Sequence, residues 1–332
     1  MVKFKELKKS IIKILKIIIP LGIGVYLTWY FYSGLTQEEK DDIPVAFANA
    51  NYLWVFLSLV IAWLSHFSRA YRWKFMMEPL GYKPKISSLY HSVMIGYVIN
   101  FTVPRSGEIA RAGFFSKKEG VPFDKTFGTI VAERVIDLVM LGLITILTYF
   151  LVGQDSINEM MKGNGDSSGG SSWILYAILA VGVTGILLLV IFKKLRTLIF
   201  DKVKGVFDGI KTVFQLKKRG FFILHTLIIW FCYIAMFWVF GLSFESIGML
   251  DAPTLFSCFF VGSAAIAVTP GGIGLFPLFV AAALKFGEYP DSSSFAIMLW
   301  VVQTVFLVVF GLYSIFAINV KFDASEVEEQ LN

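Results

Sequence analysis

The chain has 332 residues, of which 56% are hydrophobic and only 16% charged, with a mean hydropathy of +0.70. Soluble domains run nearer about 45–50% apolar and about 25% charged, so this composition excludes a soluble globular domain, a disordered chain, a coiled coil and a collagen, and specifies an integral membrane protein. The net charge of +6 would suit nucleic acid in a soluble protein, but here the basic residues gather in loops where a membrane surface accounts for them, and no nucleic-acid partner is expected.

A helix that crosses about 30 Å of hydrocarbon at about 1.5 Å per residue needs about 20 apolar residues. Six segments meet this: 12–32, 52–68, 126–152, 173–192, 220–242 and 293–318. The first follows Lys3, Lys5, Lys8, Lys9, Lys13 and Lys16; no small-residue cleavage site comes after it, so it reads as a retained span. Between the second and third spans, residues 86–122 are apolar but broken, with one arm ending at Asn100, then Thr102 to Glu108, and a second arm carrying Arg111, Lys117 and Lys118. Residues 163–172 are rich in Gly and Ser and read as an external linker. Residues 193–219 hold nine basic residues among apolar ones at near-helical spacing, the pattern of an amphipathic helix on the anionic cytoplasmic leaflet. Residues 253–286 form a second broken region, with two arms around Thr269-Pro270-Gly271-Gly272-Ile273-Gly274.

Lys and Arg collect in cytoplasmic loops. Segments 1–16, 69–85, 104–125, 193–219 and 319–332 hold 26 of the 30, whereas 33–51, 153–172, 242–252 and 285–292 hold only Lys40, Lys162 and Lys285. The N terminus is therefore expected in the cytoplasm, and each broken region is expected to enter and leave by one face. Arms of about 15 residues with Pro and Gly at the turn favour re-entrant hairpins, although eight crossings result if the hairpins span. The fold class expected is all-α: a polytopic transmembrane helical bundle of six full spans plus two re-entrant hairpins. Residues 1–152 and 173–332 form two half-repeats of opposite orientation, joined by 153–172, within a single integral membrane domain over 1–332. Inverted repeats with interrupted helices are a transporter architecture. No appended soluble domain is expected.

Three polar groups interrupt this apolar background. If a helix restarts after Pro104, then Arg105, Glu108 and Arg111 share a face; they are either an anion site, in which Arg forks grip phosphate or carboxylate beside Glu108 and Asn100, or ordinary salt bridges of a loop helix. Glu133, Arg134 and Asp137 lie within one span, where three ionisable groups are expensive; they read as a polar pathway or as an ion pair locking helices together. Thr269, Pro270, Gly271, Gly272 and Gly274 supply a sharp break, with a fresh helix N terminus near residue 275 that suits an anion or marks a simple turn. Arg69 and Arg72, beside Tyr71 and Trp73, read as interfacial anchors, with a substrate gate as the minority reading. His66, His91 and His225 read as packing residues. Cys232 and Cys258 form no metal or disulfide pattern, and no cofactor, metal, nucleophile–base pair or nucleotide loop is visible.

Arg69 to Trp73, Asn100 through Pro104-Arg105-x-Gly107-Glu108-x-x-Arg111, Glu133-Arg134-x-x-Asp137 and Thr269 to Gly274 occur in this order. Together they closely resemble the lysylphosphatidylglycerol synthase transmembrane family, also called flippase-like domain proteins, over nearly the whole chain. The resemblance implies a multi-pass lipid translocase of a bacterial cytoplasmic (inner) membrane rather than an enzyme. The family's best-known members move aminoacylated phosphatidylglycerol, and others serve glycolipid or polyprenyl-linked pathways. Two departures refine the expectation. Many relatives carry a fused aminoacyl-transferase domain, absent here, so lipid lysylation is not expected. Many also place a Glu shortly after the Gly-Gly-Ile-Gly run, where this chain has Leu275-Phe276-Pro277; the arginine-bearing hairpin then suits a phosphate-bearing lipid, an anionic phospholipid or polyprenyl-phosphate lipid, better than a lysyl lipid. A small-anion transporter and a membrane scaffold or accessory subunit are the alternatives. Homo-oligomerisation is compatible with each.

Overall fold

The computed structural model describes residues 22–103, 106–162, 213 and 215–319, and the regular structure among them is helical throughout. The described residues fall into two compact units, one up to Ile130 and again from Leu216, the other from Val131 to Gln215. The first contains α1 (residues 22–34), α2 (Gln37–Asn49), α3 (Tyr52–Met77), α4 (Ile86–Thr102), α5 (Gly107–Glu119), α7 (Arg219–Gly241), α8 (Ala252–Val268), α9 (Leu275–Phe286) and α10 (Ser292–Ala317). Helix α6 (Phe123–Lys162) starts in the first unit and supplies nearly all of the described part of the second.

Among the described residues, four helices are long and apolar enough to cross a membrane: Tyr52–Leu80, Phe123–Gly153, Arg219–Gly241 and Ser292–Ala317. They coincide with the expected spans at 52–68, 126–152, 220–242 and 293–318. Of the span expected at 12–32, the described part is helical. The span at 173–192 and the linker at 163–172 lie outside the described residues, as does nearly all of the amphipathic helix at 193–219. The long helices turn large apolar side chains outward, with Phe150 74%, Phe231 72% and Phe316 81% exposed. Water would penalise such surfaces and hydrocarbon solvates them, and with the long apolar helices they make this a multi-pass helical membrane protein.

Each broken region is a pair of short helices packed side by side, α4 on α5 and α8 on α9. At 17, 13, 17 and 12 residues none reaches the length of about 20 needed to cross. Small residues allow the close approach, since membrane helices associate by packing rather than by escape from water. A Cβ added at Gly107 would collide with the Gly96 carbonyl, and one at Gly262 would lie 2.9 Å from the Phe276 ring. Helix α10 packs on α4 by the same device, Gly311 against Val98, with His91 Nδ1 and Ser314 Oγ 3.0 Å apart. Helices α3 and α7 pair along their length, where Ser68 Oγ meets His225 Nδ1 at 2.8 Å. In the second unit, Thr145 and Thr148 return their hydroxyls to carbonyls one turn back, each at 2.8 Å, so neither is left unsatisfied in an apolar helix. Gly153 (φ 77°, ψ 158°) breaks α6 where its apolar stretch ends.

One end of the first unit collects the segments that are poorest in Lys and Arg. Asn51 N–H donates to Ser243 O at 2.9 Å, Tyr289 Oη to Asp251 at 2.7 Å and Lys285 Nζ to Glu39 at 2.5 Å. At the other end Lys218 pairs with Glu78 at 2.9 Å. Helix α2 was not expected, because low hydropathy marks 33–51 as a loop; its local signal is the capping box of Thr36 and Glu39. Partial burial pushes the Glu39 carboxyl up, but hydrogen bonds from Lys285, the Thr36 N–H and Ser293 outweigh it and hold the pKa at about 2, below its ordinary 4.5. A depressed carboxyl stabilises the fold above its unfolded pKa, so this contribution is complete above pH 4.5 and lost as pH falls toward 2. Hydrogen-exchange protection factors across residues 37–49, corrected for the intrinsic pH dependence of amide exchange, should fall over that window, and Glu39→Gln should flatten the response. Unchanged protection factors in the wild type would mean that the ion pair does not hold α2.

Candidate functional site

The first break is closed by its own side chain. Asn100 Oδ1 accepts the Gly107 N–H at 2.8 Å, which satisfies an orphan donor at the start of α5. Pro104 and Arg105 lie outside the described residues. Glu108 and Arg111, the described members of the expected shared face, both lie on α5, three residues apart. Arg111 is 2% exposed, with its guanidinium carbon 3.9 Å from the centre of the Trp73 ring. Trp73 is itself fully buried; its indole N–H donates to Thr129 Oγ1 at 2.9 Å and its ring packs on Phe115. A planar cation on an aromatic face, shielded from water, is worth about 2 kcal/mol or more. Asn100→Ala strands the Gly107 donor and should cost about 1–3 kcal/mol, read as a lower melting temperature in detergent. A melting temperature equal to wild type would show that water replaces the amide.

The second break uses glycine where only glycine is comfortable. Gly271, Gly272 and Gly274 have φ of 59°, 76° and 76°, the left-handed region that side chains disfavour. Thr269 is buried and returns its hydroxyl to Ala265 O at 3.1 Å, Pro270 opens a single 3-10 turn over Pro270–Gly272, and α9 begins at Leu275 as expected. Trp300 Nε1 of α10 donates to Gly271 O at 2.9 Å. The two tips meet, since the Phe101 ring at the end of α4 lies against Gly271, so closely that a Cβ there would overlap it. On the other side a Cβ on Gly274 would lie 2.7 Å from Gly24 O of α1. Three helices, α1, α4 and α10, thus converge on one glycine turn.

Arg69 and Arg72 are not interfacial anchors. They are 3% and 0% exposed, because α3 runs on to Met77 rather than ending near 68, and this carries both into the face that meets α7. Arg69 Nη2 donates to Tyr233 Oη at 3.2 Å, and Arg72 Nη1 to Thr226 Oγ1 at 3.0 Å, with its guanidinium 5.2 Å from the Phe222 ring centre. Among the described residues the first unit therefore buries three guanidinium groups, on α3 and α5. His66 and His225 pack in the same region, His66 against Tyr97 with ring centres 4.9 Å apart. Glu133, Arg134 and Asp137 belong to the second unit. Glu133 is fully buried, Asp137 is 8% exposed, and Arg134 pairs with Asp137 at 3.4 Å. Sequence reasoning passed over Phe101 and Trp300 and took Trp73 only as a neighbour of the arginines. Only the arginines left a signal, the helical spacing of 69 and 72 continued past the expected span end.

The family model described as the lysylphosphatidylglycerol synthase TM region matches residues 17–318. A UPF0104 membrane protein of Methanocaldococcus jannaschii is 31% identical over 157 residues, which are 46% of this chain and 44% of that protein, so the match spans under half the length of this curated relative. No solved structure matches.

Proposed function

The chain belongs to the lysylphosphatidylglycerol synthase TM region family, and on that premise we propose that it is a lipid translocase, not an enzyme, in the cytoplasmic membrane, with its N terminus in the cytoplasm. A phosphate-bearing head group, from a phospholipid, an aminoacyl-phospholipid or a polyprenyl-linked lipid, passes between the two hairpin tips while its chains stay in the bilayer. The tips act as the re-entrant arms of two inverted repeats, and alternating exposure completes transfer. The observation that carries this reading is the meeting of Phe101 and Gly271 inside the first unit. A rigid membrane protein has little reason to keep two irregular breaks in contact at depth, since non-helical backbone survives there only inside protein or beside a wet cavity. The buried Arg111, one helical turn from Gly107, supplies a fork for phosphate.

Reconstitution into liposomes with fluorescent anionic, aminoacyl and zwitterionic lipids tests the proposal. Faster exchange of a phosphate-bearing lipid between leaflets than in protein-free vesicles is expected. Exchange at the protein-free rate for every lipid would leave the second reading, a membrane scaffold or accessory subunit, which the tight packing of the tips also favours.

A further inference from the structure

Where α2, α9 and α10 meet, away from the hairpin tips, a cavity of about 230 Å³ is lined by Glu39, Asp42, Lys285, Asp291 and the three serines that begin α10. The first backbone N–H of α10 bonded back into the chain is that of Phe295, to Asp291 O at 2.9 Å. The N–H groups of Ser292, Ser293 and Ser294 precede it, at the positive end of a 26-residue helix. Asp291 does not cap them, and its carboxylate accepts instead from Ser246 Oγ at 2.5 Å. Ser294 is 2% exposed and lines the cavity, yet its hydroxyl has no hydrogen-bond partner among the described residues.

An anionic oxygen already occupies part of this socket. Glu39 Oε1 accepts from Lys285 Nζ at 2.5 Å and from Ser293 Oγ at 3.1 Å. It arrives on α2, a helix without a single buried residue, so little apolar packing resists its departure. Asp42, three residues along the same helix face, would leave with it, and Asp291 stays engaged with Ser246. The Ser292 hydroxyl is taken by Tyr289 O at 2.6 Å, so what remains is Lys285, the helix end and the hydroxyls of Ser293 and Ser294, a set of donors that a carboxylate tethered to α2 fills incompletely and a tetrahedral anion with more oxygens fills better. We propose that this socket binds a phosphate group, with the Glu39 carboxylate as its resident stand-in. The phosphate is either a lipid head group or the free ion, and the socket does not depend on lipid being moved.

Calorimetric titration of the full chain in detergent, with inorganic phosphate and with dihexanoylphosphatidylglycerol as separate probes, tests this. Glu39→Gln keeps the capping box, because glutamine serves at that position, and removes the competing charge. Affinity should rise about tenfold or more, as when an intramolecular competitor is taken away. In that background Lys285→Ala and Ser294→Ala should each weaken binding, Lys285→Ala the more. Circular dichroism and gel filtration confirm that the variants fold. Binding of both probes assigns the site to phosphate itself, and binding of the lipid alone assigns it to a head group. Equal affinity in the wild type and in Glu39→Gln, or no loss with Lys285→Ala, would overturn the socket and leave only an ion-pair latch.

Discussion

Gly271→Ala should destabilise the protein well beyond the ordinary effect of one methyl group. The residue holds φ 59°, where a Cβ costs about 1–2 kcal/mol, and the added carbon would overlap the Phe101 ring, a clash of the overpacking kind worth about 1–3 kcal/mol more. The two contributions separate in a double-mutant cycle. In a Phe101→Ala background the steric part should vanish and the backbone part persist, so the alanine should cost less there. The readout is the melting temperature of the detergent-solubilised protein. An equal cost in both backgrounds would mean that the tips do not touch in the membrane, and the translocase reading would lose its main support.

Arg111→Ala should reduce lipid exchange to the protein-free rate and lower the melting temperature as well. Its guanidinium is buried on the Trp73 ring at 3.9 Å, so truncation removes both a stacked cation and the packing of its alkyl stem. Arg111→Lys is the more informative variant. Lysine keeps the charge but has no planar fork to stack on the ring or to grip a phosphate with two parallel bonds. It should therefore retain much of the fold while exchange falls about tenfold or more, equivalent to about 1.4 kcal/mol of lost transition-state stabilisation. A lysine variant that exchanges lipid at the wild-type rate would remove Arg111 from the site and assign it to packing alone.

Much of the fold is written locally. A spanning helix satisfies its own backbone, so length and hydropathy alone identify it, and the described spans begin within three residues of where the apolar runs do. Pro104, Pro270 and the surrounding glycines announce the breaks for the same reason, because proline and glycine act on the residues that carry them. The scarcity of Lys and Arg in 33–51, 242–252 and 285–292 groups three segments that the fold brings to one end through Glu39–Lys285, Ser246–Asp291 and Asp251–Tyr289.

Contacts between distant segments are a different matter. Nothing local in Phe101 or Gly271 says that they touch across 170 residues of chain, since that depends on how α4, α8 and α9 pack. Arg69 and Arg72 carry the composition of interfacial anchors, and their burial is set by α7, whose Thr226 and Tyr233 offer oxygens at the matching height. Likewise the serines of α10 are an unremarked polar run until α2 lays Glu39 against them. The sequence by itself determined where the described spans begin, where the chain breaks and which loops share an end, because hydrogen bonding and solvation act residue by residue. Only the tertiary structure decided which faces meet, because a side chain's partner, and with it the cost or benefit of burying its charge, belongs to another helix.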